Sequence, residues 1–319
     1  MSKLEPSKLT YIAELGSNWR ISESTTTNYN YLMDLIKRLA ANGVDYVKLQ
    51  AWDTPKFVHP DHPGYDQYRK YQLPNRWYRP IIELCKSLNQ PLMMSVFDEA
   101  TADQLHALGL TNWKIASGDL VHYPLIRHIA AYNQPMTIST GNANTDEIKQ
   151  AIDVIRTNGN TRPLTVLHCI SKYPTPINEL GLARLTWLVQ DSAGDPQWGP
   201  KYQVGFSSHV RPEDQLPAIT AARTLGANVI ELHVRGTSDG NSVTTPDYPH
   251  SITPDQLCEL QSKLNQLACA AEQPIVDEHE LLWARRAPDG LRPWIRPTTV
   301  FTKEVNQNVQ SNYVRSIWN

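Results

Sequence analysis

AANGVDYVKL at residues 40–49, ALGLTNWKI at 107–115 and TLGANVIEL at 224–232 share one grammar. Each closes a helix, stops at a glycine (Gly43, Gly109 or Gly226), makes a short turn and enters a strand-like run. The glycine suits that place because the residue after a helix commonly takes the left-handed conformation, which a Cβ disfavours. Outward from these echoes, β-rich runs recur at spacings of roughly 20–45 residues. They span residues 11–15, 46–50, 92–97, 112–117, 136–140, 164–169, 203–209 and 229–234. Between them apolar residues keep helical period: Leu32, Leu35, Ile36 and Leu39 share one face, as do Ile148, Ala151, Ile152 and Ile155. Strands alternating with helices make parallel βαβ units. Eight such units close into a (β/α)8 TIM barrel of the α/β class more naturally than they spread into an open sheet. No G-x-G-x-x-G follows the first run, which counts against a dinucleotide-binding sheet.

The bulk numbers agree with one barrel. A chain of 319 residues has an ordinary length for that fold and can bury its core without disulfides. Charged residues are 19% and the formal net charge is −2, so there is no electrostatic reason to expect nucleic acid or an anionic membrane as partner. No apolar run reaches the roughly 18–20 residues of a membrane span, and MSKLEPSKLTYIAEL lacks the apolar core and cleavage site of a secretory signal. Cys85, Cys169, Cys258 and Cys269 show no C-x-x-C spacing, and reduced thiols in a cytoplasmic protein are the plain reading. Beyond residue 278 the chain turns rich in Arg, Pro and Trp and loses its strand–helix period. The expected organisation is a catalytic barrel over 1–278 and an extended tail over 279–319 packed on it, since about 40 residues are few for a separate domain. Several of the 9 Trp and 14 Tyr cluster between Trp52 and Tyr78. Residues 53–74 are therefore predicted to form a substrate-facing loop after the second strand, with a homodimer contact as the competing reading.

Barrel enzymes carry their chemistry at the C-terminal ends of the strands. Glu14 ends the first run, Lys48 and Gln50 the second, and Ser95 stands on the third, with Asp98 and Glu99 just beyond. Lys114, Ser117 and Asp119 follow on the fourth, then Ser139, Thr140 and Gly141. The sixth carries His168, Ser171 and Tyr173, the seventh Ser207, Ser208 and His209, and the eighth Glu231 and His233. Lysines and hydroxyls around one mouth suit a small substrate with both phosphate and carboxylate. Two histidines on adjacent strands suit a divalent metal with open positions. His168 has a blander reading as a satisfied barrel-interior histidine.

Longer stretches carry a family resemblance: IAELGSN at 12–18, YVKLQ at 46–50, WKIASGD at 113–119, ISTGNA at 138–143, LHCISKYPTP at 167–176, GFSSH at 205–209, VIELH at 229–233 and PDYPHS at 246–251. In this order they resemble the sialic acid synthase (N-acetylneuraminate synthase) family of phosphoenolpyruvate-condensing barrels. The resemblance implies a transferase of carbohydrate biosynthesis that joins phosphoenolpyruvate to an aldose, giving a 2-keto-3-deoxy sugar acid and phosphate. It implies that Lys48, Ser95, Lys114, Ser117, Ser139, Ser171 and Ser207 hold phosphoenolpyruvate. It further implies that His209 and His233 bind manganese or magnesium, and that Glu14, Gln50, Asp119, Tyr173 and Asp247 lie near the metal or the sugar. Glu14, Lys48, Lys114, His209 and His233 form the expected catalytic set.

Several positions depart from the family pattern. Ser208 stands where Asp usually precedes the first metal-binding histidine, and Leu232 where Lys or Arg precedes the second. Asn18-Trp19-Arg20 replaces an N-H-x-G run. The antifreeze-like domain that follows the barrel in typical members is not expected here. The aromatic loop, or the tail with Arg285, Arg286, Arg292, Arg296, Arg315, Trp294 and Trp318, is expected to cover the mouth instead, for an acceptor other than N-acetylmannosamine. Two other readings fit the same residues: a Schiff-base aldolase with Lys114 or Lys48 as nucleophile, and a non-catalytic sugar-acid-binding barrel.

Overall fold

Period-two alternation along the strands sorts side chains to the two sides of a closed sheet. A computed structural model describes residues 8–193, 201–236 and 245–271. The strands are β1 (Thr10–Glu14), β2 (Tyr46–Ala51), β3 (Leu92–Val96), β4 (Asn112–Ile115), β5 (Met136–Ser139), β6 (Leu164–His168), β7 (Gln203–Ser208) and β8 (Val229–His233). All neighbours pair in parallel, and β8 pairs with β1 to close a barrel in chain order. Helices such as Thr25–Ala41, Tyr78–Ser87, Thr145–Thr157 and Gln215–Thr224 fill the crossovers. The expected (β/α)8 barrel is the observed one.

The expected runs mostly continue one or two residues past the observed strands, as at Phe97, Ser117, Thr140, Cys169, His209 and Val234. These residues still alternate in polarity, but most of them have left the ladder to begin the loops at the mouth. The three helix-stopping glycines have φ of +72° at Gly43, +86° at Gly109 and +105° at Gly226, as the repeated turn requires.

The core has two parts. The larger lies between sheet and helices and takes the outward residues of each strand: Val47 and Leu49, Trp113 and Ile115, Ile230 and Leu232. It also takes the helical faces read from the sequence, including Leu32, Leu35, Ile36 and Leu39. The smaller plugs the barrel's interior with Ile12, Met93, Leu167 and Val229, flanked by Tyr46. Gly205 is needed beside this plug, because a Cβ there would stand 2.5 Å from the backbone oxygen of Val229. Above the plug the inward positions turn polar, and there the site is built.

The chain divides into two units, Met1–Asn265, which holds the barrel, and Gln266–Asn319. The expected domain end at 278 and the tail over 279–319, with its arginines and tryptophans, lie outside the described residues. Among the described residues no helix is long and apolar enough to cross a membrane.

Candidate active site

Inward positions of neighbouring strands meet by register. Glu14 pairs with Lys48 on one side and His233 on the other, Ser95 with Gln50 and Lys114, and Ser207 with Glu231. The resulting floor holds two ammoniums and two carboxylates, all nearly inaccessible. The Lys48 Nζ is ion-paired to Glu14 Oε2, lies 3.6 Å from Glu231 Oε1 and donates to Ser95 Oγ at 3.5 Å. Lys114 Nζ donates to Ser139 Oγ at 2.5 Å and lies 3.8 Å from Glu231 Oε2. Glu14 Oε1 accepts from the Gly16 amide at 2.6 Å and from Gln50 at 3.0 Å, while Ser207 donates to Glu231 at 2.9 Å.

Burial opposes every one of these charges, and the partners decide the outcome. Burial works against the Lys48 ammonium, but Glu14 and Glu231 outweigh it and hold its pKa above the usual lysine value. For Lys114 burial wins over the single nearby Glu231, and the pKa falls. Burial would raise the Glu231 carboxyl, yet Lys114 and Lys48 hold it down at about 2.

A hydroxyl cradle adjoins Lys114. Ser117 Oγ accepts from the Gly141 amide at 3.2 Å and lies 3.2 Å from Cys169 Sγ. Ser171 Oγ is buried without a hydrogen-bond partner among the described residues. Gly141 keeps the cradle open, since a Cβ there would collide with Ser171 Oγ and stand 2.8 Å from Ser117 Oγ.

Across the mouth, at the ends of β7 and β8, stands a group of imidazoles. The His209 ring lies 5.5 Å from that of His233, and His233 lies 4.5 Å from His250. Tyr173 rests on His209 at 4.3 Å. The His209 Nδ1 lies 2.9 Å from the Ile170 carbonyl. A carbonyl only accepts, so Nδ1 carries the proton and Nε2 keeps its lone pair, the arrangement usual for a metal-binding histidine. Burial, then the neighbouring His233, pushes the pKa of both His209 and His250 down to about 3. Both are therefore neutral at pH 7. Asp247 stands beside them, its Oδ2 3.8 Å from His233 Nδ1. Burial would raise its pKa, but His233 and hydrogen bonds from Ser17 outweigh that and lower it. Neutral imidazoles with a carboxylate are a donor set that fits a divalent cation.

Most of these groups line one cavity of about 410 Å³, with His250 buried behind His233 and Asp247 and outside the lining. Of the residues predicted from sequence, Lys48, Gln50, Ser95, Lys114, Ser117, Ser139, Tyr173, Ser207, His209, His233 and Asp247 line it. Glu14 lies beneath Lys48, and Ser171 stands at the cradle beside Gly141. Asp119 is outside the lining, 3.5 Å from His122, with burial raising its pKa. His168 does not line the cavity, but neither is it a satisfied interior histidine: it points out of the barrel, stacks on Phe206 and donates from Nε2 to the Leu180 carbonyl at 2.7 Å, while its buried Nδ1 has no partner among the described residues. The loop after β2 forms two short helices, Thr54–Phe57 and Tyr65–Tyr71, and brings Tyr68 into the cavity wall. It is braced by Phe57 against Phe97 and Tyr68.

Two members escape the sequence reading. Glu231 falls on the eighth strand there without a role, although it stands two before His233 and so must share its face. His250 lies within PDYPHS and is not singled out. Its signal is the Asp-x-x-His spacing from Asp247, which one tight turn brings to one side.

A sequence model of the NeuB family matches residues 35–275. The N,N'-diacetyllegionaminic acid synthase of Campylobacter jejuni is 31% identical over 275 residues, covering 82% of this chain and 76% of that protein. The pseudaminic acid synthase of Helicobacter pylori is 28% identical, with 87% and 80% covered. Among solved structures, the spore coat polysaccharide biosynthesis protein of Bacillus subtilis superposes with a TM-score of 0.66 at 27% identity, covering 86% of this chain and 73% of that one.

Proposed function

Because the chain belongs to the NeuB family, we propose that it condenses phosphoenolpyruvate with an aldose to give a 2-keto-3-deoxy sugar acid and phosphate. One observation carries the reading: two buried ammoniums and a cradle of hydroxyls share a cavity with a cluster of imidazoles and a carboxylate. The first half suits an anion with phosphate and carboxylate, the second a cation beside an aldehyde.

Lys114 with Ser139, Ser117 and the space kept by Gly141 receive the phosphate. Lys48 and Ser95 face the carboxylate. The floor's two ammoniums are matched by Glu14 and Glu231, so an anionic substrate needs further positive charge. His209, His233 and Asp247 would hold a divalent ion, manganese or magnesium in our reading, where that charge is needed. When bound, such an ion supplies Lewis-acid polarisation of the aldehyde oxygen. The enol carbon of phosphoenolpyruvate then bonds to the aldehyde carbon. Water adds to the carbon bearing phosphate, and the C–O bond to phosphate breaks, releasing it with its oxygen. Holding both partners in one cavity supplies the proximity this weak nucleophile needs. Glu14 and Glu231 are the carboxylates within reach of the floor for the proton of the added water. Tyr68 and Tyr173 offer flat apolar area with polar tips to the acceptor. Soluble metabolites as substrates accord with a cytoplasmic setting.

The test is phosphate release from phosphoenolpyruvate with manganese and a panel of free and phosphorylated aldoses, with mass detection of the product. Aldose-dependent release matched by a 2-keto-3-deoxy acid is expected. Release without any acid product, or inactivation by borohydride with pyruvate, would overturn the reading in favour of hydrolysis or a Schiff base.

Lys114→Met keeps the apolar stem and removes the charge. Charge-assisted hydrogen bonds contribute about 1.5–3 kcal/mol, so the Kd for phosphoenolpyruvate should rise by about 10- to 150-fold in calorimetry. An unchanged Kd would place the anion elsewhere.

A further inference from the structure

We propose that His250 is itself a ligand of the cation, completing a set with His233 and Asp247, so that the site does not rest on the His209–His233 pair alone. The proposal deepens the metal reading above and rests on it.

Ligating atoms of His233, Asp247 and His250 all lie within 4.8 Å of one another. His250 is 1% exposed, and among the described residues neither of its ring nitrogens has a hydrogen-bond partner. The His233 Nδ1 is likewise buried without one. A buried imidazole normally satisfies its nitrogens, and one that does not calls for an explanation. Asp247 does not supply it: its Oδ1 is 3.7 Å from His250 Nε2, too far for a hydrogen bond. Donors bound to one ion at about 2.0–2.2 Å lie about 3–3.5 Å apart. The observed gaps are 3.7 Å from Asp247 Oδ1 to His250 and 3.8 Å from Asp247 Oδ2 to His233, and with no gap in the set beyond 4.8 Å the three donors would draw in by up to about an ångström around an ion between them.

The chain around these atoms is held for the purpose. Asp247 Oδ2 accepts from the Ser17 amide at 2.6 Å and its hydroxyl at 2.8 Å. Ser251 donates to the Asp247 carbonyl at 2.6 Å and accepts from Asn18 at 2.8 Å. The Ile252 amide bonds the His233 carbonyl at 3.0 Å, tying the turn to the end of β8. Arg235 lies over the Tyr248 ring at 4.2 Å. Asp247 thus caps, and His250 ends, one tight turn, Tyr248–His250, whose geometry places residues three apart on one side.

The chemical consequence is metal preference. Magnesium favours oxygen ligands and keeps its waters, whereas added imidazole favours later first-row ions. His250 therefore biases this site toward manganese and cobalt over magnesium.

The experiment reads binding, not turnover. Chelator-stripped full-length protein, His250→Ala and His250→Gln are titrated with Mn2+ by EPR and with Co2+ by visible absorption, folding being checked by circular dichroism. Wild type should bind Mn2+ at least about tenfold more tightly than either variant. The nitrogen couplings of bound Mn2+ should fall by one imidazole in His250→Gln, and free imidazole should restore the Co2+ spectrum of His250→Ala. Equal Mn2+ affinity and an unchanged Co2+ spectrum in a folded variant would overturn the role of His250 while leaving the metal reading intact. Failure of wild type to bind either ion would overturn both.

Discussion

Lys48→Met is expected to destabilise the barrel by about 3–5 kcal/mol at neutral pH, because removing one partner of a buried ion pair leaves charge without compensation. Lys48 touches two carboxylates, Glu14 and Glu231, and all three side chains are at most 4% exposed. The variant leaves Lys114 as the single ammonium for both. Glu14→Gln added to Lys48→Met should recover most of the loss, and the double-mutant cycle isolates the pair. The pH dependence has a definite sign. In wild type the Glu231 pKa lies at about 2, below its unfolded value, so its contribution is full above the unfolded pKa and is lost as pH falls toward 2. The Lys48 pKa is raised, so its contribution is full below the ordinary lysine value and is lost as pH rises through the folded one. In the variant Glu231 loses one of its two ammoniums and its pKa rises. The stability gap between the proteins should therefore be widest near neutrality and narrow on acidification through the variant's raised Glu231 pKa toward the wild-type value of about 2. Urea melts across that range measure it. A loss under about 1 kcal/mol at pH 7 would mean that water reaches the floor and screens the carboxylates.

The same alternation that makes this ion pair also makes the barrel legible. Apolar residues on every second strand position, with helical period between, suffice for the number and order of strands. The helix-stopping glycines carry the repeat because one backbone conformation is required at Gly43, Gly109 and Gly226. Strand ends are less legible, since the ladder stops where backbone bonds stop and polarity does not. At the site, Lys48, Lys114, Ser95 and Ser207 can be read because inward positions at strand ends are few. Glu231 follows from the same rule, yet a carboxylate beside two lysines meant for an anion invites no role until its distances to both are known. His250 lies on a turn after β8, where no period applies, and its approach to His233 depends on bonds from Ser17, Asn18 and Ile252. Asp119 shows the converse: it belongs to a quoted motif, but the turn Ser117–Asp119 carries it toward His122 and away from the cavity lining.

His233→Ala is expected to lower turnover at least about a thousandfold, close to 4 kcal/mol of barrier at about 1.36 kcal/mol per decade. His233 ends β8 in register with Glu14, so it joins the ionic floor to the imidazole cluster. Its ring lies 5.5 Å from that of His209 and 4.5 Å from that of His250, and its Nδ1 faces Asp247. Removing it leaves Asp247 without the neighbour that does most to lower its pKa against burial. The fold should survive, since the ring sits at the mouth and, among the described residues, Nδ1 has no hydrogen bond to lose. A bound ligand raises the melting temperature in proportion to the logarithm of its concentration over Kd. Manganese should therefore raise the wild-type midpoint and leave that of His233→Ala unmoved, while the two metal-free midpoints stay close. Turnover above about a tenth of wild type in the variant would remove His233 from the reaction. A manganese shift of equal size in both proteins would move the cation away from the ends of β7 and β8, and the positive charge that the floor lacks would have to come from another part of the mouth.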